Sequence, residues 1–215
     1  PLTSAVGRAQ VCSSKLKPFS PASAFKPTDK ENIFAAIPGL TVLCGSQRHD
    51  NGALLRSAVR HWPFPTLFLE HKLVYGATED AGEYRPVPAH PDDIGGGAFP
   101  TLRLGNGQAD AAVVAYGGMV PFAEAAAEQL ADQEELDVDI VVPSQLAPLP
   151  RHALIDALTA YDAVVIAEET HGGYGIGAEI AASLAEAGYR GTIRRVGTPP
   201  VPIPSARSLE LAVMP

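Results

Sequence analysis

From residue 110 onward the chain alternates two kinds of segment so regularly that few folds remain open to it. Short runs rich in Val, Ala and Ile recur: DAAVVAY (110–116), VDIVVPS (138–144), DAVVIAE (162–168) and GTIRRVG (191–197). Between them lie stretches whose apolar residues fall at helical spacing, about 119–133, 149–160 and 176–187, and a last helix is expected from about Ser205 to Val213. A strand that is apolar at nearly every position must be covered on both faces, and helices between such strands are what cover them. Residues 101–215 are therefore expected to form an α/β domain, an open and mostly parallel sheet with helices on both faces.

The first third carries a shorter version of the same pattern. Residues 1–30 show no sustained period and read mostly as loop. A short helix is expected over 29–37, stopped by Pro38 and Gly39, followed by the strand LTVLC (40–44). In DNGALLRSAVRH (50–61), Asp50 is the N-cap and Leu54, Leu55, Ala58 and Val59 share one helical face; the strand PTLFLEH (65–71) comes next. This is a β-α-β unit, which favours parallel strands with a right-handed crossover. Residues 76–100, dense in Pro, Gly and acid, read as a linker between this unit (1–75) and the C-terminal domain (101–215).

A chain of 215 residues with 46% hydrophobic composition can bury a substantial core. Its formal net charge of -8 and scattered basic residues argue against a nucleic-acid partner. No apolar run approaches the roughly 20 residues of a membrane span. Cys12 and Cys44 lack CxxC spacing and suit a reducing compartment as small buried hydrophobes, so a cytoplasmic location is expected.

Gly173-x-Gly175-x-x-Ala178 follows a strand and opens a helix, the local setting of a dinucleotide loop. Against that reading, the strand is not the first of its domain, and Arg194 and Arg195 stand where an acid would meet the ribose. The plainer reading is a tight turn that lets the helix pack close to the sheet. Of the six histidines none has metal-ligand spacing. His171 is at the carboxyl end of a strand, where open α/β sheets hold ligands, or is a solvated loop residue; His71 ends another strand, where pairing with nearby Glu70 or Lys72 on a structural edge is the default expectation. No G-x-S-x-G elbow anchors a serine triad. The acidic run 128–139 reads as a solvated face, and the proline-rich GTPPVPIPSARSLE (197–210) as a rigid extended cover over an interface.

Read in order, PGLTVLCGS (38–46), DNGALLRSAVR (50–60), TLFLEHKLVY (66–75), VVAYGGMV (113–120), EETHGGYGIGAEIAA (168–182) and VGTPPVPIPSARSLE (196–210) resemble the beta subunit of the thiamine-diphosphate-dependent decarboxylating component of 2-oxoacid dehydrogenase complexes. The resemblance implies that residues 1–75 are the later part of a transketolase-like pyrimidine-binding domain, and that 101–215 are a transketolase C-terminal domain in which the glycine loop binds no nucleotide. It implies thiamine diphosphate and Mg²⁺ held mainly by an alpha-type partner subunit, an acyltransferase or acyl-carrier partner and a heterotetramer. Glu168, Glu169, Gly172, Gly173 and Gly175 are then expected at interfaces.

The sequence departs from the family at two places and lacks a third feature. The family's cofactor-binding glutamate falls before Pro1. Its acid/base histidine falls on Lys26, a poor base at neutral pH unless desolvated, since its ordinary pKa is about 10.4. Lys26, His71 and His171 are the candidate catalytic positions. The family's structural potassium site falls on the end of the helix that contains Ala58 and on His61, where no Asp or Asn is present. The alternative to a catalytic subunit is a non-catalytic assembly or docking module that keeps the C-terminal fold.

Overall fold

The structure is a computed structural model that describes residues 11–13, 31–71, 76, 78–204, 206, 208, 209 and 212–215. Two sheets form its frame. The smaller one has four strands in the order β1 (Val11–Ser13), β3 (Thr66–Leu69), β2 (Thr41–Cys44) and β8 (Gln145–Ala147). The larger has six, in the order β10 (Thr192–Thr198), β9 (Ala163–His171), β6 (Ala111–Ala115), β7 (Val138–Pro143), β5 (Thr101–Leu104) and β4 (Arg85–Pro86). Strands β10, β9, β6 and β7 run parallel, and β5 and β4 add an antiparallel edge. The expected mostly parallel α/β sheet is what forms.

The helices form where the sequence supplies their ends. Helix α1 (Glu31–Ala35) stops ahead of Pro38 and Gly39. In α2 (Asn51–Arg60) the Asp50 carboxylate accepts the Ala53 N–H at 2.7 Å, satisfying one of the otherwise orphaned amides of the first turn. Helix α3 (Val120–Glu134) starts with a proline in its first turn and ends at Glu135 in the left-handed conformation. Helices α4 (Arg151–Leu158) and α5 (Ile176–Glu186) complete the set. The helix expected from Ser205 falls partly outside the described residues.

Alternation along the strands divides the core. On one face, Val114, Val141 and Ile166 pack with Leu154, Leu158, Ile180 and Leu184 of α4 and α5; on the other, Ala115, Ile140, Val142 and Ala167 pack with Val120 and Ala123 of α3. Both faces are thereby covered. The small sheet joins the first of these clusters through Val42 and Cys44, while Leu43, Phe68 and Phe99 pack under Leu54 and Ala58 of α2.

Two features tie the halves together more closely than the sequence suggests. After β7 the chain crosses directly into the small sheet, where β8 pairs antiparallel with β2. Residues 76–100, polar in composition, are also packed: Tyr84, Val87 and Phe99 are buried, and Arg48 holds Glu124 of α3 at 2.7 and 3.0 Å while bonding Asp80 O. Anchors spaced several residues apart suffice to seat such a stretch, and they do not register in its average composition.

Candidate functional site

The carboxyl ends of the parallel strands in the two sheets meet. Glycines at the turn Gly117–Met119, just past β6, make the approach possible. A Cβ on Gly117 would come within 2.9 Å of Cys44 Sγ, and one on Gly118 within 2.5 Å of the His71 ring. Either clash would force the Cys44 or His71 side chain out of its place at the seam.

Three consecutive residues at the end of β9 build this seam, Glu169 and Thr170 by bonding directly across it. Glu168, fully buried, accepts from the Tyr116 hydroxyl at 3.1 Å and from the Gly177 N–H of α5 at 3.1 Å. The same hydroxyl lies 3.3 Å from a carboxylate oxygen of Glu31 in α1. A phenol has one proton to give, so two buried carboxyl groups converge on a single donor. Glu169 pairs with His71 Nε2 at 2.8 Å, both side chains about three-quarters buried. Thr170 accepts from the Asn32 amide at 2.8 Å. On the β10 side the Thr198 hydroxyl donates to the Glu169 carbonyl.

Burial pushes the Glu168 carboxyl up from its ordinary value; the Gly177 and Ile176 N–H groups, the Tyr116 hydroxyl and the Arg195 charge act in the opposite direction. Gly175 and Gly177 are the space that this carboxylate occupies: a Cβ on either would come within 2.6 Å of one of its oxygens. This also removes the dinucleotide reading of the loop. The amide at the start of α5, where a phosphate would bind, already donates to the chain's own Glu168.

The candidate residues from the sequence are only partly brought together. His71 and Glu169 form a pair and Glu168 lies beside them, inside the chain between its two sheets. His171 is at the next turn of the chain, its Nδ1–H donating to Pro199 O at 2.9 Å. Gly172 and Gly173 face open space, whereas Gly175 packs on Glu168. Ala58 is a core residue on the buried face of α2 and His61 is the exposed residue that ends that helix, remote in role from the seam. Lys26 lies outside the described residues. Sequence reasoning missed Glu31 and Asn32 of α1 and Tyr116 just past β6, which come from two separate segments; the one local signal was the Tyr-Gly-Gly at the end of β6.

A second enclosed polar pair lies between the halves. His49 is 3% exposed, its Nδ1 is 2.9 Å from Ser46 Oγ, and burial lowers its pKa to about 4. Elsewhere a groove of about 240 Å³ is lined by apolar groups, among them Ile37, Phe64, Ile94 and Pro148.

Two α/β sheets that meet end to end across a glycine-lined polar seam, the larger one covered by helices on both faces, define an α/β subunit of the transketolase type. The chain belongs to the transketolase C-terminal domain family, whose model matches residues 102–215. Its similarity to known proteins extends beyond that domain. It is 32% identical over 189 residues to the pyruvate dehydrogenase E1 component subunit beta, mitochondrial, of Pisum sativum, covering 85% of this chain and 50% of that one. It is 33% identical over 184 residues to the 2-oxoisovalerate dehydrogenase subunit beta of Bacillus subtilis, covering 84% and 53%. It is 32% identical over 181 residues to the acetoin:2,6-dichlorophenolindophenol oxidoreductase subunit beta of Cupriavidus necator, covering 83% and 50%. The chain spans about half the length of these curated relatives. A solved structure titled "Split gene transketolase, inactive beta4 tetramer" shares the fold, with a TM-score of 0.54 at 22% identity over 85% of this chain and 58% of that one.

Proposed function

We propose that this chain is the beta-type part of a thiamine-diphosphate-dependent enzyme that cleaves a 2-oxoacid or ketose and passes the acyl or two-carbon unit to a carrier, working with an alpha-type subunit in a heterotetramer. The observation that carries the reading is the extent of the match to beta subunits. At 189 aligned residues, 85% of this chain, it extends well beyond the C-terminal domain at 102–215. A reducing, cytoplasmic setting accords with the buried thiol of Cys44.

The cofactor's diphosphate and magnesium do not fit the described residues of this chain. Among them no cluster of three carboxylate, imidazole or thiol groups is placed to hold a metal, and the groove beside Phe64 is apolar. This favours a seat for that end of the cofactor on the alpha-type subunit, and no chemical step through it is assigned to these residues. What the chain offers is a positioned imidazole: His71, held by Glu169 at 2.8 Å and stacked against Gly118, is proposed as a proton-carrying group at the seam. Transfer of the product acyl group to an acyltransferase belongs to the same reading.

The test is reconstitution with an alpha-type subunit, thiamine diphosphate and Mg²⁺, with 2-oxoacids and a ketose phosphate offered separately and a dye as electron acceptor. Turnover is expected only when both subunits are present, and His71→Gln is expected to lower it by about 100-fold while the complex still assembles. A second reading, a non-catalytic assembly module, draws on the same missing metal seat among the described residues. It would be favoured by a stable complex that turns over none of these substrates.

A further inference from the structure

Two imidazoles from distant parts of the chain lie face to face. His90, in the stretch between the two sheets, and His152, in the first turn of α4, stack with ring centroids 4.6 Å apart and planes 20° from parallel. Their hydrogen bonds are unlike. His152 Nδ1–H donates to Asp93 Oδ1 at 2.9 Å, and that carboxylate, its side chain 3% exposed, also accepts the His152 and Ala153 N–H groups. His90 Nδ1 instead accepts the Asp92 N–H at 3.2 Å. A ring nitrogen accepts only through its lone pair, so this bond requires a His90 without a proton on Nδ1.

The turn that carries His90 closes on the interior of the chain. Asp93 N–H donates to His90 O at 3.1 Å, Ile94 O accepts from the buried Gln145 amide at 2.7 Å, and a Cβ on Gly95 would come within 2.8 Å of the Trp62 ring. Ile94 is also one wall of the apolar groove that it shares with Ile37, Phe64 and Pro148. Besides the two histidines, the turn carries Asp92 and Asp93, and α4 carries Arg151 and Asp156. Arg151 is turned to Ser183 and Glu186 of α5, and Asp156 is exposed one turn beyond His152. Asp93 is committed to His152 and the helix amides. That leaves Asp92, whose Oδ2 is 3.8 Å from His90 Nδ1, to meet a charge on His90.

We propose that the His90–His152 stack is a proton-sensitive latch, which holds the turn over residues 90–97 closed while His90 is neutral and releases it when His90 takes up a proton. Histidine is the side chain whose charge changes between about pH 5 and 8. A proton on His90 Nδ1 removes the acceptor of the Asp92 N–H, draws the ring towards the Asp92 carboxylate and sets it against any charge on His152 at stacking distance. All three effects act against the stack. Release of the turn loosens the groove wall at Ile94 and the contact of Gly95 with Trp62.

Amide exchange of the full chain, read by mass spectrometry on fragments at about pH 8 and about pH 5 and corrected for the pH dependence of the chemical rate, tests the latch. Exchange over residues 90–99 is expected to rise about tenfold in acid, the loss of one hydrogen bond with added repulsion, while fragments from β9 and α5 stay protected. His90→Asn keeps an oxygen to accept the Asp92 N–H and gains no proton, so it is expected to abolish the rise. His90→Phe keeps a stacking ring without an acceptor, and is expected to exchange faster than wild type at about pH 8 with no further rise in acid. The latch is overturned by a wild type that shows no rise, or by an equal rise in His90→Asn. A loosening of every fragment together overturns it in favour of global destabilisation through another group, such as His49.

Discussion

At the scale of single residues, buried polar groups make the protein sensitive to pH and to one added methyl. Burial holds the His49 imidazole at about 4, against the carbonyls of Pro100 and Val142, which favour the charged ring. An unfolded chain takes up this proton near pH 6.5 and the folded one does not. Stability should therefore fall as pH drops from 6.5 toward 4, by an amount on the order of 3 kcal/mol. Urea titrations across that range check this, and His49→Gln should remove most of the slope whatever its effect at pH 7. Gly177 makes a second case. Alanine inside a helix ordinarily gains about 0.5–1 kcal/mol over glycine. Here its Cβ would come within 2.6 Å of Glu168 Oε1 and 2.9 Å of Ile166 Cγ2, both fully buried, so Gly177→Ala should instead destabilise by about 2 kcal/mol in equilibrium unfolding.

At the scale of elements, distant residues do the work usually done by neighbours. Helix α4 begins after Pro150, which supplies no side-chain cap, and the Asp93 carboxylate takes that role from the preceding excursion, accepting from His152 N at 3.1 Å and Ala153 N at 2.8 Å. Burial opposes ionisation of Asp93, but those amides and the His152 ring outweigh it and hold the carboxyl below its ordinary value. Asp93→Ala should destabilise by about 1 kcal/mol, with faster amide exchange in the first turn of α4. An exchange map unchanged in α4 would show that the cap is idle. Strand β9 gathers the seam in the same way, and its pair with His71 is partly buried. A double-mutant cycle on His71→Ala and Glu169→Gln should give a coupling of about 1 kcal/mol, against roughly zero for an ordinary surface pair.

At the scale of the whole molecule, β8 pairing with β2 and the shared cluster from Val42 to Leu184 make the two sheets one cooperative unit. Trp62, the single tryptophan, sits in the first half against Phe99 and Phe64, so its fluorescence reports on that half. The fluorescence and far-UV circular dichroism transitions should coincide in denaturant; an earlier fluorescence transition would mean that the small sheet melts separately. The alternating apolar runs specified the strands, the helices between them and the sheet's two covered faces, because burial on both sides leaves its mark on consecutive residues of one segment. His71 and the pair Glu168–Glu169 were also visible, since each lies at the end of a strand that local pattern identifies. Tyr116, Glu31 and Asn32 were not, nor was the packing of residues 76–100: their roles depend on partners 32 to 138 positions away, and only chain crossing brings those together. Sequence by itself thus determined the class of fold and its family. Tertiary structure decided which polar groups share a proton, which glycines are obligatory and which face is left outward, because these are set by distances across the seam rather than along the chain.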